Sequence, residues 1–310
     1  MDYLPTNPVL QFNVDTMEEI RKLYDLDNPA RLEEALQILE DWIEKQNHFT
    51  EKKFDKAYLE RVLIVAKGSV ERAKSLMDNM CTFRTLLPKY FIASNLREEL
   101  NSILWAVPLP KMTKDHDRVY VVKVNTVDIQ PQDFITYCRW NIITCEYLKL
   151  HDYIRGIILI QDSRDIKLLD LIMKLSLTEL QEIMTIILKG FGASLKQIHF
   201  INDTKLLDYI LLLGKQFVSN KLLSRIKYHA NAEALLEYID PSILPVELGG
   251  TERSLNTIRD EWIDVLSSED HIKYMRTMNE ARTDETQRLE ESFNSLHMGT
   301  PGSFRNLVVD

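Results

Sequence analysis

Histidine, cysteine and carboxylate side chains are where chemistry would start, and in this chain they do not assemble into a reactive set. The seven histidines are scattered, with no pair at metal-ligand spacing. His199 lies inside a strand-like run, where a hydrogen-bonded structural histidine is the simplest reading. Asp162 closes an apolar run at the end where α/β sheets place functional groups. Nothing near it completes an acid–base pair, so it reads as a cap or turn carboxylate. Cys81, Cys138 and Cys145 are odd in number and not closely paired, which indicates neither a disulfide frame nor a zinc site. There is no glycine-rich phosphate loop and no G-x-S-x-G elbow. No catalytic residue, metal ligand or cofactor is therefore expected, and the chain does not read as an enzyme.

What the residues offer instead is grease beside positive charge. From Lys205 to Leu213 runs a segment in which Leu206, Leu207, Ile210, Leu211, Leu212 and Leu213 cover more of a helix than one core-facing stripe needs. Around it, between Lys189 and His229, seven lysines and arginines stand against only Asp203 and Asp208, a local charge of +5 in a chain of −9. A solvated face is the ordinary meaning of such a run. Next to an apolar helix it also suits an anionic lipid surface, at about 1 kcal/mol per basic residue near the membrane.

The elements that must position these groups alternate. Asn202, Asp203 and Thr204 supply turn and N-cap chemistry between a strand pattern at Leu195–Ile201 and the apolar helix. A second short strand pattern follows at Ile226–His229, and the stretch closes on Leu244, Pro245, Glu247, Gly249 and Gly250. Upstream, Val119–Val124 is β-branched, Pro131 opens a helix to about Leu150, and Gly156–Ile160 is continuously apolar, as a buried parallel strand would be. Helices are expected at Leu168–Leu175 and Leu177–Leu188. This is the alternation of an α/β domain with a mainly parallel sheet. Leu255–Leu266, carrying Trp262, reads as an amphipathic helix behind it.

The first hundred residues are different. Two prolines make 1–14 an irregular tail or docking arm. Helices then start near Thr16, at Asn28–Pro29, near Asp55 and at Val70, the second striped by Leu32, Ala35, Leu36, Leu39, Trp42 and Ile43. The expected division is a tail at 1–14, an all-α N-terminal domain at 15–103, a proline-bearing linker at 104–114, an α/β domain with its C-terminal helix at 115–282, and a C-terminal tail at 283–310. A length of 310 residues suits two such domains. The acidic balance argues against nucleic acid, and with no leader and no apolar run near 20 residues a cytoplasmic place is expected.

The order IHFIN, apolar helix, KLLSRI and then ILPVELGG resembles the CRAL-TRIO lipid-transfer family, with L-P-x-E-x-G-G as its most specific piece. The helical opening is similar to that family's small N-terminal domain, best over Val70–Tyr90, while Ile64 and Ala66 occupy positions usually basic there. The resemblance implies an apolar cavity floored by the sheet under a helical gate. By position it puts Leu207, Ile210 and Leu213 on the gate, Asn141, Ile142, Cys145 and Leu148 on the wall after Pro131, and Ile158 and Ile160 on the strand beneath. Asn141 and Cys145 stand where the family's tocopherol carriers have small hydroxylated residues. Lys196, Lys221 and Arg225 keep a phosphoinositide-binding pattern, with Ser194 replacing one further basic position.

The reading that follows is a carrier for a small hydrophobic ligand (a tocopherol, retinoid, carotenoid or similar lipid), a monomer that touches anionic phospholipid or phosphoinositide membranes transiently and peripherally. Two other classes fit the same residues: a phosphoinositide sensor or exchanger, and a protein-interaction scaffold with the same fold.

Overall fold

The computed structural model describes residue 4, residues 6–93, 97, 104–125, 130–166, 174, 176–201 and 220–288. The opening is helical: α1 (Thr16–Leu23), α2 (Pro29–Glu44), α3 (Lys56–Val65) and α4 (Val70–Leu86). Their starts are set by local chemistry. Asn28, Asp55 and Ser69 each accept a backbone N–H of the first turn of α2, α3 and α4, satisfying donors that the helix itself leaves free. Leu36, Leu39 and Ile43 of α2 pack with Leu59, Val62 and Leu63 of α3 and Met77 of α4 in one core.

Five strands then form one sheet in the order β1 (Leu104–Met112), β2 (Asp117–Val124), β3 (Gly156–Asp162), β4 (Leu195–Ile201), β5 (Ile226–His229). β1 runs antiparallel to β2, and every other pairing is parallel. β2 and β3 are joined by the long α5 (Pro131–His151). β3 and β4 are joined through α6 (Leu177–Thr185), whose last turn widens into a π-helix at Ile186–Gly190. The short α7 (Asn220–Leu223) precedes β5, and α8 (Leu255–Leu266) and α9 (Glu269–Met278) end the order of helices.

The segment expected as a linker, 104–114, is mostly the edge strand β1. Pro108 and Pro110 suggested a connection, but proline is tolerated on an edge, where one side of the strand needs no ladder N–H. That outer side is used: the Gln11 amide donates to the Pro110 carbonyl at 2.8 Å. The N-terminal segment is thus a docked arm, with Val9 and Leu10 buried and Asn7 donating to the Tyr147 hydroxyl. At the other end, 283–288 is tied down as well. Thr283 bridges Phe49, and Arg288 pairs with Asp78 at 3.0 Å. Of the helix expected at Leu168–Leu175 only Lys174 is described, as helix; the remainder, and the tail beyond Arg288, lie outside the described residues.

The L-P-x-E-x-G-G segment is a structural lock. Both Glu247 carboxylate oxygens accept the Leu255 amide, at 3.0 and 3.1 Å, at the start of α8. Gly249 has φ +81°, and a Cβ on Gly250 would lie 1.9 Å from the Leu244 carbonyl oxygen, so neither position admits a side chain without rearrangement.

Candidate functional site: an apolar sheet face with a basic edge

The two faces of the sheet have different partners, and strand alternation tells them apart. On one face Val121, Ile160, His199 and Lys227 stand side by side in register. The C-terminal segment covers this face. The rings of His199 and His229 lie 5.2 and 5.5 Å from that of Tyr238, with the Lys227 ammonium 3.8 Å from the same ring. Trp262 of α8 donates its indole N–H to the Pro108 carbonyl at 2.9 Å.

On the other face run the row Tyr120, Leu159, Ile198, Ile226 and the row Val122, Gln161, Phe200, Tyr228. α5 packs against one end of it, the Tyr120 hydroxyl donating to Asn141 Oδ1 at 2.9 Å. Leu159, Phe200, Ile226 and Tyr228 are only half-buried, and the Phe200 and Tyr228 rings stack with centroids 6.0 Å apart. An apolar surface of this kind, walled by a helix, is what a hydrophobic ligand needs beneath it.

The wall residues divide. Asn141, Cys145 and Leu148 follow at helical spacing on one side of α5. Asn141 is spent internally, since its amide also donates to the Tyr137 carbonyl at 2.8 Å. Cys145 is half-buried beside it, and burial pushes its thiol up to about 12, which makes it an apolar lining group rather than a nucleophile. Ile142 points elsewhere: it is fully buried with Met80 and Phe83 of α4 and Ile186 of the π-turn. Ile158 and Ile160 share the face of Gln197 and His199, under the C-terminal segment. The residues of β3 on the half-open face are Ile157, Leu159 and Gln161. The gate positions Leu207, Ile210 and Leu213 lie outside the described residues.

Lys196 and Arg225 meet at one edge, and Lys221 stands one turn before Arg225 on α7. The Arg225 guanidinium donates to the Leu195 carbonyl. Lys196 lies across Gly156, at the start of β3. Its ammonium is held below the usual lysine range, chiefly by burial, partly offset by Asp117, with the charges of Arg155, Lys67 and Arg225 adding to the effect. Lys67 thus extends the basic edge, while Arg155 beside it is paired with Asp117 and, at 3.2 Å, with Asp115. The sequence pattern missed both, because one follows α3 and the other precedes β3, far from the lysine-rich stretch.

The chemistry-bearing residues are occupied. Gln197 Oε1 accepts from His199 Nε2 at 3.0 Å, so in the neutral ring Nδ1 is the acceptor and His229 Nε2–H donates to it at 2.8 Å. Burial works against the Asp162 charge, but hydrogen bonds from Arg164 at 2.9 Å and the nearby Lys123 ammonium outweigh it and hold the carboxyl below its usual range. No group of three or more histidine, cysteine or acidic side chains is placed to hold a metal among the described residues. No helix among them is long and apolar enough to cross a membrane.

Residues 28–100 match the family described as "Pinta-like, UBA domain". Two relatives, each named "Alpha-tocopherol transfer protein-like", come from Mus musculus and Homo sapiens. They are 26% and 25% identical over 249 residues, covering 77% of this chain and 71% of theirs. Among solved structures, "Crystal structure of Sfh5" overlaps 87% of this chain and 99% of its own at 11% identity, with a TM-score of 0.46. Residues 104–250 match the CRAL/TRIO domain family, and the chain carries a CRAL/TRIO domain behind its helical opening.

Proposed function

We propose that this protein carries a small hydrophobic molecule on the half-open sheet face and passes it between membranes at anionic surfaces. The observation that supports this most is the half-buried Leu159 and Ile226 of one row and Phe200 and Tyr228 of the next, on the face that α5 walls at one end, apolar surface that an ordinary core would bury fully. The names of the relatives point the same way. An apolar ligand burying about 500 Å² gains roughly 12 kcal/mol at 25 cal/mol per Å². Association and ordering remove a large part of that, leaving an affinity suited to a carrier. The cargo class (tocopherol, retinoid, carotenoid or similar lipid) follows the family resemblance. So does a gate bearing Leu207, Ile210 and Leu213, which must open if such a ligand is to leave.

Native mass spectrometry of the purified chain tests carriage. A co-purified apolar lipid supports it; an empty, well-packed protein that moves no fluorescent lipid between vesicles supports a protein-binding scaffold and sinks the carrier reading. Phosphoinositide as sole co-purified ligand supports a sensor instead.

Membrane contact is assigned to Lys196, Lys221 and Arg225, with Lys67 from the helical opening beside them. Changing Lys221 and Arg225 together to Ala is expected to weaken binding to anionic vesicles while cargo affinity in solution stays nearly constant. Added salt is expected to weaken the wild-type contact too, since exposed charges are screened within about 8–10 Å at physiological ionic strength. Vesicle binding that is equal for both proteins at every salt concentration would remove the assignment.

A further inference from the structure

A cavity of about 70 Å³ lies between the end of α3, the end of α5, the start of β3 and residues 191–194. Ile64, Val65, Leu148, Ile157 and Phe191 give it apolar walls. It adjoins the inner end of the half-open sheet face, because Ile157 lines both. Four cations line it: the exposed Lys67, the half-buried Arg155, and Lys149 and Arg61 from the interior. Lys149 is 5% exposed, its ammonium 5.5 Å from the Phe191 ring centroid and 5.4 Å from that of Tyr58, and its Nζ has no hydrogen-bond partner. Arg61 is 8% exposed, with its Nη1 on the Ala57 carbonyl and its Nε unpartnered.

The carboxylates near Lys149 are shared or taken. Glu146, one turn earlier on α5, gives Oε1 to the buried Arg84, while its Oε2 has no hydrogen-bond partner, so its single charge is divided between Arg84 and Lys149. Asp152, which lines the cavity, accepts from Arg118 through both oxygens, at 2.8 and 3.0 Å. One carboxylate shared by two buried cations leaves positive charge in excess, which costs several kcal/mol, and burial accordingly holds the Lys149 ammonium down to about 8, with Glu146 offsetting part of the effect; an anion brought by a ligand would relieve that cost.

We propose that this cavity is an oxyanion site, and that the cargo is an amphiphile whose carboxylate rests against Lys149 and Arg61 while its apolar chain follows Ile157 onto the sheet face. This rests on the carrier reading and narrows the cargo to a long-chain acid. At about 10–15 Å³ per water-sized occupant, the cavity holds roughly five such groups, enough for a carboxylate and a few carbons. A carboxylate matches the guanidinium plane of Arg61, and the apolar walls suit the first methylenes better than a bulky phosphodiester headgroup.

The experiment compares oleic acid with oleyl alcohol, which share a chain and differ in the head, on the delipidated full-length protein. The acid is expected to bind at least about tenfold more tightly, a difference of 1.4 kcal/mol. Lys149→Met is expected to remove most of the acid's advantage, with Arg61 retaining the rest, and to leave the alcohol unchanged. The wild-type comparison needs no variant. Equal affinity for acid and alcohol would overturn the oxyanion site while carriage stands. Binding of neither would overturn the long-chain-acid cargo, and carriage itself is then decided by the mass-spectrometry test. An acid preference that survives Lys149→Met undiminished would overturn the placement at Lys149. Inorganic phosphate at millimolar concentration should not displace oleate; displacement would overturn the carboxylate assignment in favour of a phosphate.

Discussion

His199 accepts a hydrogen bond from His229 and donates one to Gln197, so both its nitrogens are committed and the ring is held neutral. Burial keeps it from charging until about pH 4, against an ordinary 6.5, and His151 and His271 are held down to about 4 mainly by burial as well. The folded state therefore binds fewer protons than the unfolded chain across that window. Stability from these groups is fully present above pH 6.5 and is lost as pH falls toward 4. The urea midpoint should be level near pH 7 and decline through that range. One such group contributes a slope of at most about 1.4 kcal/mol per pH unit, and His199→Phe should make the decline shallower. An unchanged slope in the variant would show that His199 does not titrate as described. The sequence made this histidine legible as structural, because its strand is plain. It did not make the face of Ile158 and Ile160 legible: a strand apolar at five successive positions has no period, and only the partners on each side distinguish inward from outward.

At the scale of elements, the same ambiguity hid the floor of the site. β3 alternates in exposure, with Ile158 and Ile160 buried and Ile157, Leu159 and Gln161 half-buried, though all but the last are equally apolar. α5 was legible as a helix through Pro131 but not in its facing, since it packs against the sheet through Trp140 and against α4 through Ile142 and so carries no single stripe. β1 was misread because proline marks both linkers and edges. These placements make a paired test. Ile160→Ala, in a filled core, should lower folding stability by about 2–5 kcal/mol. Leu159→Ala should cost less in stability because its side chain is only half-buried and, on the carrier reading, more in lipid affinity because that side chain would then floor the ligand. Urea denaturation and lipid titration of both variants read the two effects. Equal destabilisation, with lipid affinity equally lowered or untouched in both, would mean that the half-open face is ordinary core.

The whole molecule is held together across its two parts by contacts that no local pattern announces, because their partners lie tens to hundreds of residues apart. Arg84 of α4 and Glu146 of α5 form a buried ion pair, 1% and 0% exposed at the side chain, and Arg84 also donates to the Ala281 carbonyl. Thr85 donates to the Thr283 carbonyl, and the π-turn presses so closely on α4 that a Cβ at Gly190 would lie 2.6 Å from Met80 Sδ. If the helical opening and the sheet are one cooperative unit, cutting this pair must destabilise both together. Removing one partner leaves the other charge buried and unpaired, at about 3–5 kcal/mol; replacing both by apolar residues removes the desolvation cost with the attraction and can come out neutral. Arg84→Met and Glu146→Leu should therefore each lower the urea midpoint sharply, and the double variant should recover most of the loss. Two further variants give the readout its location. Trp42, in the helical opening, and Trp262, behind the sheet, can each be changed to Phe to assign the fluorescence transition. Coincident transitions that shift together in the single variants are expected. Should the Trp42 signal move alone, the ion pair would stabilise the helical opening locally, and the cavity beside Lys149 would sit between two units that unfold independently.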